Sequence, residues 1–215
     1  MVRTNSPLRH MVSVINHDKV GIRFLIMDCP TETTLPLYAD EFLEHNVTTV
    51  VRCCASTYSP DLLLNYGIDF LDLPFRDGGV PNNVIVAQWI ALIDKHTSDP
   101  LYGIEKPTIA VHCVAGLGRA PVLVALALLE MGVNPLDAID FIRQRRRGAF
   151  NKLQIHYLDQ YKRTTKYRRL SSGSSHSISS SSAFFSWGGR VLSKLTNKGG
   201  IHGPQQQEQH YQQSV

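Results

Sequence analysis

No run in these 215 residues approaches the roughly 20 apolar positions of a membrane span. The amino terminus lacks a signal-peptide core, and Val2 excludes glycine-linked myristoylation. Cysteine is scarce: Cys29, Cys53, Cys54 and Cys113 are the full set. They show neither metal-ligand spacing nor the density of a secreted disulfide framework, so reduced thiols in the cytosol are expected. None follows Cys113 and the chain ends Q-Q-S-V, so prenylation of a carboxy-terminal box is not expected. Neither a metal nor another cofactor is expected.

What is present concentrates in one stretch, Val111 to Pro121, V-H-C-V-A-G-L-G-R-A-P. Cys113 and Arg119 bracket five residues, two of them glycine. An apolar, β-rich segment, Pro107 to His112, precedes the stretch, and strong helix formers, Leu123 to Glu130, follow it. Strand, glycine-containing loop and helix together build an anion site: loop N–H groups turn inward and the helix N-terminus adds partial positive charge. Arg119 can grip two oxygens of a phosphate at once. The same field favours Cys113 as the attacking thiolate. The plain alternative makes Cys113 a buried strand-end residue and Arg119 a surface residue. A bare C-x5-R is common by chance, and it is the flanking His112, the glycines and the strand and helix on their correct sides that favour the anion site.

The rest of the chain fits an α/β fold. Residues 11–15 and 22–27, Val47 to Cys54 and Ile68 to Leu73 read as strands. Helices are expected over Leu37 to His45, Pro60 to Tyr66 and Asn82 to His96. This alternation predicts a central, mainly parallel sheet with helices on both faces and ligands at the carboxyl ends of the strands. Residues 1–20 form an amino-terminal segment with the first strand, 21–169 the main domain, and 170–215 a low-complexity tail expected to be disordered. Between a strand and a helix, P-F-R-D-G-G-V-P (Pro74 to Pro81) is a glycine-rich loop centred on Asp77. A thiolate that attacks phosphorus expels a poor leaving group, which a carboxylic acid on a closing loop can protonate. Asp77 is either that acid or an ordinary turn aspartate. Asp72 is a weaker competitor because it lies within a strand.

The Val111–Pro121 stretch resembles the signature loop of the phosphatases of regenerating liver (PRL), small dual-specificity-like members of the cysteine-dependent tyrosine phosphatases. The resemblance runs from about Arg23 to Tyr161 and includes V-T-T-V-V-R (Val47 to Arg52), L-D-L-P-F-R-D-G (Leu71 to Gly78) and F-I-R-Q-R-R-R-G-A-F-N (Phe141 to Asn151). It implies hydrolysis of phosphotyrosine, with dual specificity open, through a phosphocysteine. Cys113 would be the nucleophile and Asp77 the general acid, although Arg76 stands where relatives often carry an acid. Phosphate would sit on Val114, Ala115, Gly116, Leu117, Gly118 and Arg119. Ala120 replaces the Ser or Thr of most relatives, which implies slow release of the intermediate. Cys54 matches a cysteine that pairs reversibly with the nucleophile, against the alternative of a core thiol; Cys53 would face the other way on a regular strand. His112 would bond loop backbone and help hold the thiolate. Gln154 falls where a water-positioning residue is implied, with a solvated helix glutamine as the ordinary alternative. The uncharged loop interior, V-A-G-L-G, favours phosphotyrosine protein over phosphoinositide. The resemblance also admits a second class, a regulatory protein that binds CNNM-type magnesium transport mediators and is switched by phosphorylation or oxidation of the cysteine. A sulfur-transfer enzyme is disfavoured by Asp77 and the C-x5-R spacing.

Charge is uneven. Residues 1–142 hold 9 Lys/Arg and 16 Asp/Glu, a net of −7, whereas residues 143–169 hold 10 and 1, a net of +9. The basic segment, with R-Q-R-R-R (Arg143 to Arg147), Lys162, Arg163, Lys166, Arg168 and Arg169, attracts acidic surfaces such as anionic lipid or acidic protein. Nucleic acid is not expected, because no recognition motif or aromatic platform accompanies it. Phe184 to Leu195, drawn as a helix, places its large apolar side chains on an arc of about 160°. With the basic segment it is a candidate for peripheral contact with an inner membrane face, although Gly188 and Gly189 weaken the helix.

Overall fold

The computed structural model describes Leu8 and residues 11–98 and 106–164. The Ser- and Gln-rich tail, the 184–195 segment and Lys166, Arg168 and Arg169 lie outside the described residues.

Among the described residues five strands form one sheet: β1 (Val12–Ile15), β2 (Arg23–Met27), β3 (Val47–Arg52), β4 (Asp69–Asp72) and β5 (Thr108–His112). Their order is β1-β2-β5-β3-β4. Only the β1–β2 pair is antiparallel; β2–β5, β5–β3 and β3–β4 are parallel. Strands buried on both faces carry near-continuous apolar runs, as R-F-L-I-M and T-I-A-V-H do here. Alternate side chains serve opposite layers. Phe24, Ile26, Ile109 and Val111 pack on one face, and Leu25, Met27 and Ala110 on the other.

Among the described residues six helices cover the sheet: α1 (Leu35–Glu44), α2 (Asp61–Asn65), α3 (Asn83–Ser98), α4 (Arg119–Glu130), α5 (Pro135–Arg145) and α6 (Lys152–Gln160). α1 and α2 supply Leu35, Tyr38, Phe42 and Leu63 to one layer. α3 to α6 supply Trp89, Ile93, all of α4's apolar residues, Ile142 and Leu158 to the other. The fold is thus the expected α/β sandwich around a mainly parallel sheet.

Every residue of α4 is buried, which suits a helix apolar on all sides. Glu130 ends it, where a negative charge opposes the helix dipole. Three donors offset that: the Tyr161 hydroxyl at 2.7 Å, the Thr164 N–H at 2.9 Å and the Thr164 hydroxyl at 2.9 Å.

Some boundaries differ from expectation. α1 starts at Leu35, since Pro36 needs no N–H partner in a first turn. α4 starts at Arg119 itself, and its first turn likewise accepts Pro121. β3 stops at Arg52, so Cys53 and Cys54 lie beyond the pleat and both join the same core layer rather than facing opposite ways. No bounded helix was expected between Glu130 and the tail, and α5 and α6 occupy that region.

Candidate active site

β5 lies between β2 and β3, with Met27, His112 and Arg52 level at its carboxyl end. Cys113 therefore leaves the sheet in the middle of its carboxyl edge. The carbonyls of the loop that follows are each bonded to something outside it. The Cys113 carbonyl faces His112 Nδ1 at 3.5 Å. The Val114 carbonyl accepts from the Cys29 N–H at 3.0 Å and that of Leu117 from the Phe150 N–H at 2.8 Å. Arg146 holds the next two, Nη2 on Ala115 at 3.0 Å and Nε on Gly116 at 3.2 Å. Gly118 bonds Val122 within α4. In a trans peptide the N–H points opposite to the preceding C=O. Six carbonyls turned outward leave the N–H groups of Val114 to Arg119 facing the concavity, at the uncapped start of α4.

Gly116 permits this curvature. Its φ is +66°, and a Cβ there would collide with the Met27 carbonyl and the Arg146 guanidinium. Val114 and Leu117 project from the loop into solvent. Phe150, in the left-handed region at φ +67°, is a strained position that presents its N–H to Leu117.

Arg119 is buried at the loop's end. Its Nη1 donates to the Cys53 and Phe75 carbonyls, each at 3.3 Å, which fixes the plane of the guanidinium. Nη2 pairs with Asp77 Oδ1 at 3.1 Å. Nε is buried and has no hydrogen-bond partner among the described residues. The Nε–Nη2 edge, the one that grips two oxygens, is thus half vacant and half held by a carboxylate that is 82% exposed. Asp72 has no such opening, because it takes Arg52 Nε at 2.6 Å and Nη2 at 2.7 Å.

Beneath the loop, Arg52 Nη1 donates to the Tyr58 carbonyl at 2.8 Å, and the Tyr58 hydroxyl lies 2.7 Å from His112 Nε2. A carbonyl can only accept, so His112 Nδ1 carries the proton toward Cys113 and Nε2 accepts from Tyr58. Burial lowers the His112 pKa to about 4, so its ring is neutral near pH 7. Ala120 is fully buried in the first turn of α4 and offers no hydroxyl. Gln154 is fully buried rather than solvated. It forms a capping box with Asn151 (2.9 and 3.1 Å), and its Nε2 donates to the Gly79 carbonyl at 3.0 Å. Asn151 Nδ2 donates to the Gly78 carbonyl at 2.9 Å. Both therefore tether the loop that carries Asp77.

Cys54 Sγ lies 3.6 Å from Cys29 Sγ. Cys29, Cys54 and His112 place ligand atoms within 4.8 Å of one another, the donor types of a soft metal site. Both nitrogens of His112 are already engaged, however, and two thiols alone do not complete such a site.

Sequence reasoning missed Arg146, Asn151, Tyr58 and Cys29. Arg146 was read as part of a basic surface, but it is buried and also donates to the Met11 carbonyl at 2.7 Å. Its signal was its spacing four residues after Ile142, a buried residue of α5, at the end of that helix. Asn151 carried the capping-box signal, N-x-x-Q. Tyr58 and Cys29 carried none.

Residues 27–133 match the family model "Polymorphic toxin system, DSP-PTPase phosphatase". The chain is 50% identical over 145 residues to "Probable protein tyrosine phosphatase type IVA A" of Dictyostelium discoideum, covering 67% of this chain and 84% of that protein. It is 48% identical over 150 residues to protein tyrosine phosphatase type IVA 2 of Mus musculus, covering 69% and 86%. A solved protein tyrosine phosphatase structure from Leishmania major superposes with a TM-score of 0.63 at 41% identity, over 71% of this chain and 99% of that one. With this loop, this sheet order and these relatives, the chain belongs to the PRL, or type IVA, family of protein tyrosine phosphatases.

Proposed function

We propose that the chain hydrolyses phosphotyrosine in protein substrates through a phosphocysteine at Cys113. The observation that carries this reading is the set of outward-bonded loop carbonyls beside the Nε–Nη2 edge of Arg119, whose Nη2 is held only by the exposed Asp77. A phosphoryl group seated there meets the N–H groups of 114–119 and the guanidinium, in the places where charge builds up in transfer. The Cys113 thiolate forms the S–P bond as the P–O bond to the tyrosine breaks, and Asp77 gives its proton to the departing oxygen. Water then breaks the S–P bond, returning a proton to Asp77 and releasing phosphate. The substrate and Asp77 compete for Arg119 Nη2. The carboxyl group must leave the guanidinium to act as acid, so binding of phosphate frees it.

Ala120 cannot donate a hydrogen bond to the departing thiolate, which makes the second step slow. Rapid mixing of the reduced protein with an aryl phosphate tests both points. The expected trace is a burst of about one leaving group per Cys113 and then slow turnover. Linear turnover refutes the slow step, and absence of any release refutes the enzyme. Ala120→Ser should raise the steady-state rate roughly tenfold, the worth of one hydrogen bond to a charged group. A long-lived phosphocysteine also supports the second role, a switch controlling binding to CNNM-type magnesium transport mediators. Cys54 is proposed as the redox partner of Cys113. Peripheral membrane contact is proposed through the exposed basic residues other than Arg146, together with 184–195. Liposome flotation of the intact chain against one ending at Leu170 tests it, and equal flotation refutes it. Among the described residues no helix is long and apolar enough to cross a membrane.

A further inference from the structure

Among the thiols that the catalytic scheme leaves unused, Cys29 lies two residues beyond the end of β2 and is partly exposed. Its N–H is bonded to the Val114 carbonyl, so its backbone is fastened to the phosphate loop. Its Sγ lies 3.6 Å from Cys54 Sγ and 3.0 Å from Thr57 Oγ1. Thr57 has one hydroxyl proton, and it is given to the Pro30 carbonyl at 2.7 Å. Thr57 must then accept from Cys29, and the Cys29 sulfur accepts from Cys54. The protons run in one direction, from Cys54 to Cys29 to Thr57 to Pro30, away from the loop. Burial, followed by the Cys29 contact, pushes the Cys54 thiol up to about 12, so Cys54 is protonated at rest. The described hydrogen bonds therefore join Cys54 to Cys29, in the same core layer that contains Cys113.

We propose that Cys29 and Cys54 form a reversible disulfide that takes oxidation off Cys113, an inference resting on Cys113 as the nucleophile. The oxidant is a peroxide. The Cys113 thiolate attacks it, an S–O bond forms, the O–O bond breaks, and hydroxide leaves. Cys54 attacks the sulfenic sulfur; an S–S bond forms, and the hydroxyl departs with the Cys54 proton as water. Cys29 then loses its proton to hydroxide and attacks Cys54 Sγ. The Cys29–Cys54 bond forms, and Cys113 leaves as a thiolate into the inward-facing amides of its loop. One peroxide and two thiols have become two waters and one disulfide, and the nucleophile is restored. A small dithiol reduces the pair by attacking Cys29, the more accessible of the two sulfurs.

The test is a disulfide map of the full chain after a pulse of hydrogen peroxide, alkylation and non-reducing digestion. The expected end product is a Cys29–Cys54 peptide pair with Cys113 alkylated. In Cys29→Ser the map should stop at Cys54–Cys113, and aryl phosphate hydrolysis should return only after dithiol is added. In Cys113→Ser the Cys29–Cys54 pair should form at least about tenfold more slowly, because the entry thiolate is gone. Cys29 remaining alkylated in the unaltered chain overturns the proposal, as does equal pairing in Cys113→Ser. The map needs no turnover. A chain that pairs Cys29 with Cys54 through Cys113 but releases no phosphate refutes the enzyme and leaves this inference standing.

Discussion

The phosphate loop and the acid loop face each other across Arg119, and they are held in opposite ways. Residues 113–118 have their carbonyls bonded to β2's end, the α5–α6 connection, Arg146 and α4. Pro74 to Pro81 is tied by Asn151 on Gly78, Gln154 on Gly79, and Arg119 on Phe75 and Asp77. The difference follows from what each must do. Electrostatic stabilisation works when dipoles are already aimed, so the phosphate loop is braced from outside. A general acid must approach, give its proton and withdraw; the exposure of Asp77 and its single ion pair with Arg119 suit the role proposed for it.

Substitutions can break this contrast, and the largest effect is expected at the joint between the loops. Arg119→Lys keeps the charge but loses the bidentate edge and the bonds to Cys53 and Phe75. The expected loss in kcat/KM is roughly a thousandfold with the fold kept, read by aryl phosphate kinetics beside circular dichroism. Asp77→Asn should lower kcat/KM, which reports the first step, roughly a hundredfold for a phenol that leaves poorly and hardly at all for an activated nitrophenol. Equal losses for both would mean Asp77 is a binding residue, and the contrast between aimed and moving groups would fail. Arg146→Met probes the bracing. It leaves the Ala115, Gly116 and Met11 carbonyls without their donor, for about 2–3 kcal/mol of stability and roughly tenfold in kcat/KM. An unchanged rate and melting temperature would return Arg146 to the basic surface.

The readable part of the site was the part whose chemistry is contiguous. Cys113, the glycines and Arg119 fall within one loop because a strand-to-helix turn wraps a phosphate with adjacent amides. β2, β3 and β5 were legible because strands covered on both sides have no polar face to hide. The bracing was not legible, because it is built from remote segments. R-Q-R-R-R is uniform as composition, yet only Arg146, the residue that ends α5 and donates its N–H to the Ile142 carbonyl, is buried. Cys29 and Cys54 are 25 residues apart in sequence and meet only because β2 and β3 flank β5 in parallel. The end of β3 at Arg52 also decided Cys53: its thiol is buried with its pKa raised by burial, while its carbonyl serves Arg119.

A further expected effect lies under the braced loop and appears only in acid. His112 supports the Cys113 carbonyl as a neutral ring, and burial holds its pKa at about 4, against 6.5 in an unfolded chain. The folded state then binds fewer protons than the unfolded one between these values. The stability contributed by the neutral ring is fully present above pH 6.5 and is lost as pH falls from 6.5 through 4. The difference in pKa sets the loss at about 3 kcal/mol by the lower end. Urea unfolding across that range, with His112→Asn as reference, isolates it from the carboxylates, which titrate in both proteins. A steeper acid slope in the unaltered chain is the expected result. Parallel slopes would mean that the ring protonates freely in the fold and that burial does not hold it neutral. The acid loop contains no histidine, so destabilisation from this source starts beneath the phosphate loop and leaves the Asn151 and Gln154 tethers in place.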